Sequence, residues 1–351
     1  ATEQIPASPG YYVDTSAAAS QTACSSGTYQ PASAQTSCID ASAGYYVANS
    51  ASTSQTACTP GTYQPSTGQS SCLNADAGNY VNTTAASSQT ACSNGTYQPS
   101  TGQTSCIDAS TGYYVASSAA TSPTACSPGT YQPSTGQSSC LAADAGYWVA
   151  GSGAGNQDPC SIGTYQPSTG QTACLDADAG YYVDSTAATS QTACLAGTYN
   201  PNTASSSSSD CTDADAGYYT SSAGSASQIA CAAGTYQPST GQTSCTDADA
   251  GYYVSTTASP LQTACAAGTY QPFTAQTSCT DADAGYFVST TAATSQTACA
   301  AGTYQPSTGQ TSCTDASAGY YVASAGSASQ TACASGTYQP STGQSSCTDA
   351  S

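Results

Sequence analysis

The spacing of the cysteines constrains this chain more than any other feature. Twenty Cys alternate gaps of 14 and 20 residues: Cys24, Cys38, Cys58, Cys72, Cys92, Cys106, Cys126, Cys140, Cys160, Cys174, Cys194, Cys211, Cys231, Cys245, Cys265, Cys279, Cys299, Cys313, Cys333 and Cys347. The one exception is the short gap from Cys194 to Cys211, which a Ser-rich insert (Ser205 to Ser209) lengthens by three. The period is 34 residues and fills the chain. Residues 1–23 read as an N-terminal half repeat, and residues 24–351 as the tandem array.

A 34-residue period also belongs to helix-turn-helix solenoids. Helices fail here. Each repeat carries Gly, nearly always with Pro, and many Ser and Thr, without an apolar stripe of period 3.6. Tyr-Tyr-Val and Thr-Tyr-Gln read as short extended runs, and Pro-Ser-Thr-Gly as a turn. The expected fold is small, disulfide-rich and mostly β or irregular. It is a linear tandem array of ten two-hairpin repeats, forming an elongated rod on the order of 200–300 Å if each repeat advances about a quarter of its extended length.

The halves of each repeat are related. One runs from Cys231 through Gly234-Thr-Tyr236 to Gln242-Thr-Ser-Cys245; the other runs from Ala248 through Gly251-Tyr-Tyr253 to Gln262-Thr-Ala-Cys265. Ala248 stands where the first half has its opening Cys. The N-terminus bears on the pairing. Ile5-Pro-Ala-Ser-Pro-Gly10 aligns with Ile39-Asp-Ala-Ser-Ala-Gly44, which puts Gln4 where Cys38 stands. Bridges across the long gaps would leave Cys24 and Cys347 without partners. Consecutive pairing (24–38, 58–72 and so on) uses all 20 Cys. Bridges between chains are the alternative. Each closed loop would contribute about 3 kcal/mol in the loop-entropy model.

Composition excludes several functions. The chain has 19 acidic residues and no Lys, Arg, His or Met. Nothing can neutralise phosphates, so nucleic acid is excluded as a partner, and so is a polybasic contact with a membrane surface. The usual general bases, Schiff-base lysines and His metal sites are missing. Long aliphatics are scarce, so covalent links must do the work of a large core. The cysteines read as a framework made in an oxidising, secreted or cell-surface setting rather than as a thiolate metal array. No apolar run is long enough for a membrane span. The chain lacks an initiator Met and a visible signal peptide, so it reads as a mature or excerpted form whose array continues beyond it.

Cys231, Gly234, Tyr236 and Cys245, with their equivalents in every repeat, resemble the ephrin-receptor-like cysteine-rich repeats of extracellular proteins. They also resemble the first disulfide module of tumour necrosis factor receptor domains. The resemblance implies an elongated stack of disulfide modules with little helix, a structural or adhesive role, and no catalysis. The second half of each repeat departs from it in lacking the extra Cys pair.

Other motifs suggest surface chemistry. Asp-x-Asp-x-Gly, as in Asp247/Asp249/Gly251, is similar to the start of a calcium loop, but the later bidentate Glu is missing and Glu3 is the only Glu. These carboxylates read first as solvated turn residues, with calcium as a further reading. Ten near-identical copies do not make the one unlike-residue cleft that an enzyme needs. Asn82-Thr83-Thr84 and Asn94-Gly95-Thr96 are N-glycosylation sequons. Ser239, Thr240, Thr256 and Thr257 lie in Ser/Thr-rich turns suited to O-glycans. In the Tyr-Tyr pairs the second aromatic is expected to pack and the first to face solvent, a glycan or a partner, because adjacent strand residues point to opposite sides. The functional expectation is a glycosylated, self-associating extracellular fibre; the alternative is the stalk of an adhesin or receptor-like binding protein.

Overall fold

The computed structural model describes residues 5–350. Glu3 and Gln4, which carried two of the sequence arguments, lie outside the described residues. Among the described residues, forty strands of two residues each pair into twenty antiparallel hairpins. The only helical element among the described residues is a 3-10 turn at Ser208–Asp210. The fold class is therefore a tandem array of small disulfide-rich hairpins, two to each 34-residue repeat.

The hairpin itself recurs every 17 residues, and residues 24–40 show why it forms. Thr28 N–H donates to the Ser25 carbonyl at 3.0 Å, closing a β-turn. Gly27 stands third in that turn with φ +90°, a conformation that Gly adopts without penalty. The chain leaves the turn as Thr28–Tyr29 and returns as Ile39–Asp40, with Thr28 opposite Asp40 and Tyr29 opposite Ile39. Between them lies the Pro-bearing loop. It is held from inside by Gln30, whose buried amide donates to the Ser37 carbonyl at 2.8 Å and accepts from Ala32 N–H. The following hairpin, residues 41–57, repeats the path with Tyr45–Tyr46 against Thr56–Ala57 and buried Val47 in place of Gln30.

Consecutive hairpins are joined by three backbone hydrogen bonds. Gly27 N–H donates to the Val47 carbonyl at 2.8 Å, Gln30 N–H to Ser52 at 3.0 Å, and Ala51 N–H back to Cys24 at 2.8 Å. The same set recurs as Gly234 to Val254, Gln237 to Ser259 and Ala258 to Cys231. Hairpins also meet the next but one. A β-carbon placed on Gly27 would lie 2.2 Å from the Gly68 carbonyl oxygen, and one on Gly234 would lie 2.4 Å from that of Ala275. The residue offering this carbonyl always has positive φ. It is Gly in ten of these contacts and Ala in eight, for example Ala51 at 57° and Ala292 at 55°. The core is correspondingly thin. It is a column of small buried groups in which Cys24, Ala41, Cys58 and Ala75 follow one another, flanked by Gln30, Val47, Gln64 and Val81.

The chain divides into two compact units. One comprises Ala1–Cys160, Gln166–Leu175 and Thr186–Thr189; the other comprises Ser161–Tyr165, Asp176–Ser185 and Ser190–Ser351. Each follows the same construction. The Ser-rich insert falls within the second unit and leaves its hairpin's register intact, since Thr198 still opposes Asp213 and Tyr199 opposes Thr212. The extra residues are wound into the 3-10 turn. Ser207 caps it, and Asp210 accepts from the backbone N–H groups of Ser206 and Ser207, both at 3.0 Å.

Candidate functional site

Any site in such an array is multiplied along it, so the repeated side chains matter more than any single one. The first set closes the hairpins. Bridges join Cys24 to Cys38, Cys58 to Cys72, Cys92 to Cys106, Cys126 to Cys140, Cys160 to Cys174, Cys194 to Cys211, Cys231 to Cys245, Cys265 to Cys279, Cys299 to Cys313 and Cys333 to Cys347. No free Cys remains among the described residues. Each bridge ties the start of a hairpin, buried in all but the last at Cys333, to the beginning of its returning strand.

The intervening hairpins are closed by a polar clasp that the sequence comparison had out of register. Matching the Gln-x-x-Cys endings set Cys245 against Cys265. The 17-residue backbone repeat instead sets Cys245 against Gln262, as it sets Cys231 against buried Ala248. Gln262 spans the same gap without a bond. Its Oε1 accepts from Asp249 N–H at 2.7 Å, and its Nε2 donates to the Asp249 carboxylate at 2.6 Å. The backbone half of this clasp recurs at Gln21, Gln55, Gln89, Gln157, Gln191, Gln228, Gln296 and Gln330. Pro123 takes the place in hairpin 109–125, so that hairpin has neither bridge nor clasp.

This clasp accounts for half of the Asp-x-Asp-x-Gly motif. Asp249 is engaged by Gln262, while Asp247 sits on the returning strand of the preceding hairpin opposite Thr235. Among the described residues no three His, Cys, Asp or Glu side chains come together as a metal site. The first Asp of the motif leans along the stack. The Asp213 carboxylate lies 3.3–3.5 Å from where a β-carbon on Gly241 would be, and that of Asp281 lies 3.4–3.7 Å from the same place on Gly309.

The aromatic pairs differ from expectation. Both rings of nearly every Tyr-Tyr pair are half-buried, and only Tyr113 and Tyr320 show an exposed first ring. The first ring does not simply face solvent, because the stacking brings another turn beneath it. The Tyr181 hydroxyl reaches within 2.7 Å of a β-carbon placed on Gly224, and Tyr286 covers Gly326 in the same way. A two-residue strand is too short for face alternation alone to decide exposure. The glycan candidates Asn82, Asn94, Ser239, Thr240, Thr256 and Thr257 are all exposed. Asn82 is followed by two exposed Thr, whereas the Thr96 hydroxyl of the second sequon donates to the Ser93 carbonyl at 2.8 Å.

One set of repeated side chains was not singled out from the sequence. Ile39, Leu73, Ile107, Leu141 and Leu175 occupy one place in five successive bridged hairpins, each 45–48% exposed. Thr212, Thr246, Thr280, Thr314 and Thr348 occupy that place in the other five. The signal was readable as a change in the residue after the closing Cys. No helix among the described residues is long and apolar enough to cross a membrane.

Comparison with known proteins agrees with this geometry. No curated protein matches the chain. Residues 146–194, from the turn glycine of one hairpin to the opening Cys194 of another, match the family model described as tyrosine-protein kinase ephrin type A/B receptor-like. That family is a receptor-like extracellular domain and not a catalytic one. Over that stretch the chain is similar to the ephrin type A/B receptor-like sequences, and its ten bridged repeats fit a cysteine-rich repeat array.

Proposed function

We propose that this protein is a structural component of a glycosylated extracellular fibre or surface filament. One observation carries the reading. Within each compact unit successive hairpins are joined by the same three backbone hydrogen bonds, so the fold is a device for repetition and has no unique place on which a reaction would depend. Bridges resist local opening, and the absence of Lys and Arg removes trypsin sites. Exposed Ser and Thr in the turns, together with the Asn82 sequon, would carry the sugar that keeps a Tyr-rich surface soluble. The stacking bonds are all made within the chain and require no ion, so chelation of calcium leaves thermal stability unchanged on this reading. Electron microscopy of the purified glycoprotein tests the main claim. Long filaments of even density are expected, and short particles ending in globules would sink it.

The receptor-like match over residues 146–194 favours a second reading, the stalk of a surface adhesin or receptor-like binding protein. Terminal globules in the same images would support that reading.

A further inference from the structure

The Ile/Leu row has no structural need to be apolar. Its cross-strand neighbours are the same in both versions: Tyr29, Tyr63, Tyr97 and Tyr131 oppose Ile39, Leu73, Ile107 and Leu141, while Tyr236, Tyr270, Tyr304 and Tyr338 oppose Thr. The hairpin forms equally with either. Bridged hairpins stack like on like, since β-carbons on Gly27, Gly61, Gly95 and Gly129 would meet the carbonyls of Gly68, Gly102, Gly136 and Gly170. The five aliphatics therefore recur at the same place in successive bridged hairpins of the first compact unit.

We propose that this row is where a second copy of the chain lies alongside the first, with a stagger of one 34-residue repeat. The inference rests on the filament reading and specifies how filaments pair. Two observations select a second copy as the occupant. First, another copy carries its own row at the same 34-residue interval, so successive steps fall opposite one another without strain. Second, the charges beside the row fit a staggered copy. The chain carries −19 and no cation, so close approach is limited by like charge. The residues following the row alternate between acidic and neutral: Asp40, Asn74, Asp108, Ala142 and Asp176. Copies in register would set Asp against Asp. A shift of one repeat sets Asp40 against Asn74, Asn74 against Asp108, and Asp108 against Ala142. In the Thr-bearing hairpins the same place reads Asp213, Asp247, Asp281, Asp315 and Asp349, so no shift relieves the opposition there. The patch is smaller than the ~800 Å² per partner of a standard interface. Pairing is therefore weak for one step and strengthens along a filament, because each seated step raises the effective concentration of the next.

The test uses the full chain. Ile39, Leu73, Ile107, Leu141 and Leu175 are each replaced by Thr, the residue that the protein's other five bridged hairpins carry, and retention of all ten bridges verifies folding. Mass per unit length by electron microscopy, and self-association by sedimentation velocity, are compared with the parent. The parent is expected to show two chains per cross-section, and the five-Thr variant one, with at least tenfold weaker association. Asn74→Asp with Ala142→Asp is expected to weaken pairing at least tenfold at low salt and to regain most of it at high salt, where the charges are screened. Equal pairing by the five-Thr variant, or by the Asp variant at low salt, overturns the proposal. Parent filaments one chain wide overturn the pairing and leave the filament reading standing. Short particles that nevertheless pair support the row and overturn the filament.

Discussion

Bridged and bridgeless hairpins share one backbone and differ in how they are closed. Hairpin 231–247 is shut by Cys231–Cys245. Hairpin 248–264 is shut by Gln262 reaching Asp249 across the same span. A bridge over such a loop is worth about 3 kcal/mol. A clasp of one or two exposed hydrogen bonds is worth about 1 kcal/mol. The weaker hairpin survives because it is never alone. It makes three backbone hydrogen bonds to each neighbour and rests its carbonyl on a glycine two hairpins back. The difference shows that closure and stacking are separable. Stacking fixes the shape, and closure sets how readily each hairpin opens.

The largest effect should come from the contact that both kinds share. Gly234→Val and Gly251→Val each put a β-carbon 2.3–2.4 Å from a backbone carbonyl, Ala275 or Ala292, at a φ of 85–90°. Left-handed backbone alone costs about 1–2 kcal/mol for a residue other than Gly, and the clash adds to it, so each change should cost at least about 3 kcal/mol. Amide exchange would show lost protection in the substituted hairpin and in the one two places along. Markedly unequal losses for the two variants would break the claim that stacking ignores closure.

Next in size is removal of one bridge. Cys265→Ala with Cys279→Ala should lower the local opening free energy by about 3 kcal/mol, read as faster exchange of amides in residues 265–281, with distant hairpins unaffected. An array-wide loss of protection would show that closure is cooperative along the chain. The converse change sharpens the comparison. Ala248→Cys with Gln262→Cys installs a bridge at the equivalent places of a clasped hairpin. The new bridge replaces a clasp, so the net gain should be about 2 kcal/mol. Mass spectrometry would detect the bridge, and local exchange would measure the gain.

Much of this was legible in the sequence. Cys-x-x-Gly-x-Tyr encodes a turn whose third residue must have positive φ, and the regular Cys intervals encode ten tandem closures. What stayed hidden has physical causes. Cys and Gln share no chemistry that a sequence comparison rewards, so Gln262 was matched to its neighbours and not to Cys245. Ala at the positive-φ place gives no local sign of that conformation, and Ala17 and Ala34 adopt it even without a glycine two hairpins back to receive the carbonyl. The surface under the first Tyr is a turn that arrives from two hairpins away, 43 residues on in the case of Tyr181 and Gly224. The partner of Asp249 was hidden because Gln262 lies 13 residues further on, and the sequence motif joins Asp249 to an Asp247 that belongs to the preceding hairpin.

The smallest effect belongs to the clasp itself, and the chain supplies its own control. Hairpin 109–125 has Pro123 where nine others have Gln, and Ser110 where six others offer a carboxylate to that Gln. If the clasp contributes to closure, this hairpin should be the most readily opened of the bridgeless ones well inside the array. Gln262→Ala should bring hairpin 248–264 down towards it by about 1 kcal/mol, and Pro123→Gln should raise hairpin 109–125 by a similar amount. Site-resolved amide exchange measures both in one experiment. The direction of the second change is the stricter criterion. Loss of Pro also frees the unfolded chain, which works against a gain, so a rise in protection could come only from the side-chain bond to Ser110 N–H that the new Gln would make. Unchanged or lower protection would mean that stacking alone closes the bridgeless hairpins and that the clasp is incidental.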